Sequence, residues 1–195
     1  MSSSNMDFHD PNHAFERGFW GNCVNTYFEE RKQWIYADMM RLPIYNFAII
    51  ADGKRILDIG GGPVSMLLKC SNLKQGVVVD PIAYPDWVKQ RYEAANIRYI
   101  QMNAEDISGS GFDEVWMYNV LQHCVDPERI IANAKRSAPV FRVFEWLDFP
   151  PHAGHPHMLT QGAMDKWIGG TGHVEYLNKE GCYGNSYSGC FLVGS

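Results

Sequence analysis

The 195-residue sequence contains no apolar run that approaches the length of a membrane span. Its first residues, Met1 to Asp7, offer neither a basic stretch nor an apolar one, so no secretory signal is expected. Its five cysteines (Cys23, Cys70, Cys124, Cys182 and Cys190) are odd in number and show no C-x-x-C spacing. That pattern speaks against a disulfide framework and for reduced thiols in a cytoplasmic compartment, with a Cys182–Cys190 approach on neighbouring strands as the minor alternative. A basic excess is missing too. Lys and Arg number 17 against 22 Asp and Glu, a net charge of -5, which argues against a broad nucleic-acid footprint. There is no internal repeat and no low-complexity linker. What remains, with 46% hydrophobic residues, is enough for one domain with its own core.

The pattern along the chain alternates strands and helices. Strands are expected at Arg55–Ile59, Gly76–Asp80, Arg98–Met102, Phe112–Asn119 and Val140–Trp146. Helices are expected from Pro63 to about Cys70, Pro85 to about Ala95, Pro127 to about Ser137 and Thr160 to about Ile168. Asp126 is placed to cap the third of these, with Pro127 at its first position. Two closing strands, Val174–Asn178 and Ser188–Val193, are too close for a crossover and suit an antiparallel hairpin. Ahead of all this, Val24 to Ala51 suits one or two amphipathic helices divided near Pro43, and the stretch before it is broken by Pro11, Gly18 and Gly21. The expectation is an α/β fold: a doubly wound, mostly parallel seven-stranded sheet with an antiparallel C-terminal hairpin. Residues 1–51 form an N-terminal helical cap and 52–195 the ligand-binding unit.

Chemistry concentrates where the first strand ends. Gly60, Gly61 and Gly62 follow a strand, and Asp80 closes the next one. Glycines let backbone approach a nucleoside, and the acid accepts its ribose hydroxyls. The turn departs from the dinucleotide fingerprint. Ser65 stands where the third glycine belongs, and Pro63 removes an amide that would face a pyrophosphate. Asp58 would repel a pyrophosphate and welcome a cationic amino group. The cofactor expected is therefore an adenosine compound without phosphates.

These residues resemble the class I S-adenosylmethionine-dependent methyltransferases. The likeness covers roughly residues 54–195: Leu57 to Pro63, Val78 to Asp80, Met102 to Ile107, Phe112 to Val115 and Asn119 to Pro127. The resemblance implies S-adenosylmethionine as cofactor and S-adenosylhomocysteine as product. It implies that Asp58 and Gly60 to Gly62 pack against the methionine and ribose, and that Asp80 binds the ribose diol. Pro81 and Ile82 would lie beside the adenine. Asn103 would accept from the adenine amino group, Ala104 and Glu105 would add backbone, and Asn119 and Val120 would lie under the methionine moiety. Val64 departs from the family's third glycine.

His123, just past the fourth expected strand, reads as a general base or substrate contact, with a structural histidine as the competing reading. His152, His155 and His157 sit in a proline-rich loop. Metal binding with His9 and His13 is the minor reading there, because the spacing matches no familiar ligand set. The resemblance implies substrate positioning or loop structure instead, with His155 joining His123 as a catalytic candidate and no metal expected. In the aromatic N-terminal stretch, Trp20 or Tyr27 is expected to face the cofactor, since aromatic faces suit a sulfonium. The acceptor expected is a small molecule, a sugar or metabolite methylated on oxygen or nitrogen. A protein or RNA acceptor, a nicotinamide oxidoreductase and a non-catalytic cofactor-binding module are the alternatives. No membrane partner is expected, and the sequence leaves oligomeric state open.

Overall fold

Two helices, α1 (Pro11–Trp20) and α2 (Cys23–Met39), open the computed structural model, which describes residues 11–193. They lead into a short hairpin of β1 (Ile44–Tyr45) and β2 (Ala48–Ile50). The chain continues through β3 (Arg55–Ile59), β4 (Cys70–Ser71), β5 (Gln75–Asp80), α3 (Asp86–Ala94), β6 (Ile97–Gln101) and β7 (Glu114–Tyr118). It ends with α4 (Pro127–Ser137), β8 (Val140–Trp146), α5 (Gln161–Ile168), β9 (His173–Lys179) and β10 (Cys182–Leu192). Seven strands form one sheet in the order β6-β5-β3-β7-β8-β10-β9. The first five run parallel, and β10 lies antiparallel to both β8 and β9. A second, three-stranded sheet pairs β2 with β1 and with β4.

Alternation along each strand divides the core in two. Ile56, Val78, Trp116 and Phe144 face the side where Ile35 and Tyr36 of α2 pack. Leu57, Val77, Val115 and Val143 face Ile130 and Ile131 of α4 and Met164 of α5. Both faces are covered, which is why these strands read as nearly continuous apolar runs. The expected cap of α4 is present: the Asp126 side chain accepts the Arg129 amide at 3.0 Å. No helix among the described residues is long and apolar enough to cross a membrane.

Four local expectations are corrected. The helix foreseen up to Ala51 stops at Met39, where Arg41 turns to φ 56° and Pro43 opens the hairpin. The helix foreseen after Pro63 is only a 3-10 turn, Met66–Lys69. The amides of Ser65 and Met66 are taken by distant hydroxyls, Tyr92 at 2.9 Å and Tyr118 at 3.0 Å, and the chain then joins β2 through β4. The stretch around Gly18, read as broken, is helical as part of α1. Cys182 and Cys190 lie on the same strand, β10, and both are free thiols.

Candidate active site

The carboxyl ends of the parallel strands meet at one edge, the usual ligand side of such a sheet. A cavity of about 830 Å³ lies there, with α1 forming one wall. Gly60 (φ 71°) and Gly62 (φ 63°) turn the chain sharply after β3. A Cβ on Gly60 would stand 2.5 Å from a Val120 methyl, so only glycine allows the two loops to meet. Asp80 lies across from this turn. One carboxylate oxygen accepts the Gly62 amide at 3.1 Å and the other the Ile82 amide at 2.9 Å. Two amides fix the carboxylate, and each oxygen keeps a lone pair for a ligand. Burial raises the Asp80 pKa to about 7 despite those bonds.

Asp58 is placed differently from the expectation. It is fully buried behind the turn and does not line the cavity, and neither does Gly61. Its Oδ2 accepts the hydroxyls of Ser65 at 2.5 Å and Tyr118 at 2.6 Å, whereas Oδ1 is buried without a partner. Burial lifts its pKa to about 7, with the two hydroxyls pulling the other way. Asp58 therefore stands behind the turn, held by two hydroxyls, rather than in the cavity. Tyr118, from β7, is thus one of two hydroxyls that support that carboxylate.

The Asn119 turn is organised from below by another buried acid. Glu145 accepts the amides of Val120 at 3.0 Å and Leu121 at 3.1 Å, and burial raises its pKa to about 7. Asn119 holds φ 55°, which few residues adopt without an outside constraint. Asn103 lines the cavity, and its side chain makes no capping bond to the turn that follows. The carbonyls of Ala104 and Glu105 are bound by Asn133, and the Glu105 carboxylate accepts the amides of Val125 and Asp126.

The histidines gather under α1. His123 Nδ1 donates to the Gly154 carbonyl at 2.7 Å and lies 3.2 Å from Glu16 Oε1. Burial alone would lower its pKa, but Glu16, the Gly154 carbonyl and Glu145 together hold it above the usual value. His155 packs edge-on against it, ring centroids 4.3 Å apart. Burial, then the charges of His123 and His152, push the His155 pKa down to about 4. His155 is therefore neutral at physiological pH. Trp20 donates its indole N–H to Glu16 at 3.1 Å and sits over Gly62. Tyr27, the other aromatic expected here, is exposed and outside the cavity. His9, part of the minor metal reading, lies outside the described residues. Among the described residues no cluster is suited to a metal.

The structure thus brings Trp20, Gly60, Gly62, Asp80, Pro81, Ile82, Asn103, Ala104, Glu105, Asn119, Val120, His123 and His155 to one cavity. Sequence reasoning missed Glu16, Gln122 and the far wall, where Tyr36, Trp146, Phe149 and Tyr183 stand. The wall residues come from α2, β8, the loop after it and β10, with no shared local signal.

Charge decides which nucleoside suits this space. Glu16, Glu29, Asp80, Glu105, Asp106 and Asp126 line it, against Lys32 and Arg129 as permanent cations. Such a cavity favours a cationic ligand and repels a pyrophosphate. An anchored carboxylate beside a glycine turn and an acidic lining fit a sulfonium-bearing adenosine compound.

Residues 57–138 match a family model described as a methyltransferase domain. No curated protein sequence matches the chain. Among solved structures, the chain is similar to the N-methyltransferase NodS of Bradyrhizobium japonicum in complex with S-adenosylhomocysteine. The two are 14% identical over 95% of this chain and 100% of that one, with a TM-score of 0.68. A chain from the complex of the Trm112 methyltransferase activator of Haloferax volcanii matches with a TM-score of 0.62. It is 13% identical, over 88% of this chain and 96% of that one. A SAM-dependent methyltransferase from Aquifex aeolicus has a TM-score of 0.52, at 14% identity over 72% and 83% of the two chains. At these identities the structures speak for the shared fold, while the family model covers the glycine turn, Asp80 and the Asn119 turn. Residues 57–138 thus match the methyltransferase-domain family and the sheet has the fold of the class I methyltransferases, which together support a methyltransferase with S-adenosylmethionine as cofactor.

Proposed function

We propose that this enzyme methylates an oxygen or nitrogen of a small-molecule acceptor. The observation that carries this reading is the cavity itself. It runs from Asp80 and Asn103 past the glycine turn to an aromatic wall of Tyr36, Trp146, Phe149 and Tyr183, beneath α1. A recess of this size, roofed by a helix, admits a compact acceptor beside the cofactor. Its acidic lining opposes a nucleic-acid acceptor.

In this reading Asp80 binds the ribose diol, and Gly60 and Gly62 bring backbone against the nucleoside. Asn103, Pro81 and Ile82 hold the adenine, with Ala104 and Glu105 as its backbone border. Asn119, Val120 and Trp20 surround the methionine portion, and Asp58 and Gly61 keep the turn in shape behind it. When bound, S-adenosylmethionine supplies an electrophilic methyl group on a cationic sulfur. The protein's part is alignment and exclusion of water. His123 is the base that accepts the acceptor's proton, because its pKa is held up. His155, uncharged, packs against His123 and borders the acceptor space.

Calorimetric titration with S-adenosylmethionine and S-adenosylhomocysteine, with NAD as control, tests the cofactor site. Transfer of radiolabelled methyl to separated small-molecule, protein and RNA fractions then tests the acceptor. Label in the small-molecule fraction supports the proposal, and label confined to RNA or protein overturns it.

A further inference from the structure

The sequence offered two histidines and no partner for either. The structure supplies one from an unexpected element. Glu16, on α1, lies in the cavity wall with Oε1 3.2 Å from His123 Nδ1 and Oε2 bonded to the Trp20 indole at 3.1 Å. Both side chains are largely buried, His123 at 19% exposure and Glu16 at 17%. The other contact of Nδ1 is the Gly154 carbonyl at 2.7 Å.

Both partners of Nδ1 are oxygen acceptors, so this nitrogen carries a proton. Nε2 has no hydrogen-bond partner among the described residues. In the neutral ring Nε2 is therefore the nitrogen with a free lone pair. We propose that Glu16 is a positioning residue for methyl transfer: it locks His123 in the Nδ1–H form and leaves Nε2 to take the proton of the acceptor. The proposal rests on the methyltransferase reading above.

The proton balance follows. As the acceptor heteroatom bonds to the methyl carbon, the C–S electron pair stays with sulfur and the charge on sulfur is lost. The acceptor's heteroatom–hydrogen bond breaks, and its proton passes to His123 Nε2. The imidazolium so formed is stabilised by the Glu16 carboxylate. Because Glu16 rides on α1, the base is complete only with that helix in place. Phe15 helps to seat it, packed so closely on Gly154 that a Cβ there would lie 2.5 Å from its ring. The charged and titratable groups facing His123 are Glu16 from α1, Glu145 from β8 and His155, itself beside His152, from the loop after β8. Cys124 is its chain neighbour. Of these, Glu16 is the carboxylate within hydrogen-bond reach of the ring.

Histidine NMR of the S-adenosylhomocysteine-saturated protein tests this, run beside calorimetry with the same compound. In the unmodified protein His123 is expected as the Nδ1–H form when neutral. Glu16→Gln, which keeps shape and removes charge, is expected to lower the His123 pKa by about one unit or more, and Glu16→Asp to restore part of it. An Nε2–H form in the unmodified protein, or a His123 pKa that Glu16→Gln leaves in place, overturns the proposal. If S-adenosylhomocysteine binds while His123 behaves in either of those ways, the dyad alone fails. If it binds neither protein, the methyltransferase reading falls first.

Discussion

Gly62 donates its backbone amide to the Asp80 carboxylate across 3.1 Å, tying the glycine turn after β3 to the acid that ends β5. The proposed ribose acceptor and the glycine turn are thus one unit, built where two neighbouring parallel strands end. Removing the acid should disturb both. Asp80→Ala is expected to weaken S-adenosylhomocysteine binding by about 1–3 kcal/mol, the scale of hydrogen bonds to a charged group. Asp80→Asn, which still accepts one amide, should lose less. Calorimetry on folded variants measures this, and an unchanged Kd for Asp80→Ala would remove the ribose assignment.

Ligand binding should also depend on pH through the same carboxylate. With its pKa raised to about 7 by burial, Asp80 is substantially protonated in the free protein under mildly acidic conditions. A ribose diol donates hydrogen bonds and a sulfonium is cationic, so both favour the ionised acid. Binding should therefore release protons below about pH 7, and affinity should climb with pH and level off above it. Titration in two buffers of different ionisation enthalpy reads the proton count directly. Proton uptake on binding in that range would contradict the assignment.

Stability of the free protein should run the other way. Asp58, Asp80 and Glu145 each have a folded pKa of about 7, well above an unfolded carboxylate at about 4. The folded state holds these protons longer. The stability they contribute is complete below about pH 4 and is lost as pH rises through about 7. The melting temperature of the free protein should fall between about pH 5 and pH 8, and Asp58→Asn should flatten that slope. A melting temperature that rises across this window would show these acids to be ionised already.

Gly60 gives a steric prediction. Gly60→Ala adds a Cβ at φ 71°, 2.5 Å from Val120. The strained backbone and the collision should together cost on the order of 1–3 kcal/mol. Val120→Ala in the same chain should recover the collision part and leave the backbone part, a coupling that a double-mutant cycle measures. Strict additivity of the two changes would mean that the loops do not press on each other.

The centre of the sheet was legible in the sequence because β3, β5 and β7 carry apolar runs that end at Gly60, Asp80 and Asn119. Val140–Trp146 and Pro127–Ser137 have the bounds expected, since Asp126 and Pro127 start the helix locally. The segment after Pro63 was not legible. Its amides are claimed by Tyr92 and Tyr118, 27 and 52 residues away, and no periodicity reports such a contact. The residues proposed to hold the cofactor could be gathered at one sheet edge because they sit in motifs at strand ends. Glu16 could not, because nothing in α1 shows that its carboxylate meets a histidine more than a hundred residues later. Asp58 was found for its charge, but its burial behind the turn follows from the hydroxyls of Ser65 and Tyr118, which only the fold brings together.

Tyr118 tests that last arrangement. Its hydroxyl donates to Asp58 at 2.6 Å and accepts the Met66 amide at 3.0 Å, joining β7, β3 and the turn after Pro63. Tyr118→Phe keeps the ring in the core and removes only the oxygen. It leaves a carboxylate that already has one unpartnered oxygen with Ser65 as its remaining donor. The expected loss is about 1–3 kcal/mol. It should also depend on pH, because the Tyr118 bond favours the ionised form of Asp58 and its removal pushes that pKa above about 7. The variant should therefore lose more stability at about pH 8, where unmodified Asp58 is ionised, than at about pH 5, where it is protonated. Denaturant unfolding of both proteins at the two pH values measures the difference. A loss equal at both would mean that the hydroxyl serves the Met66 amide alone.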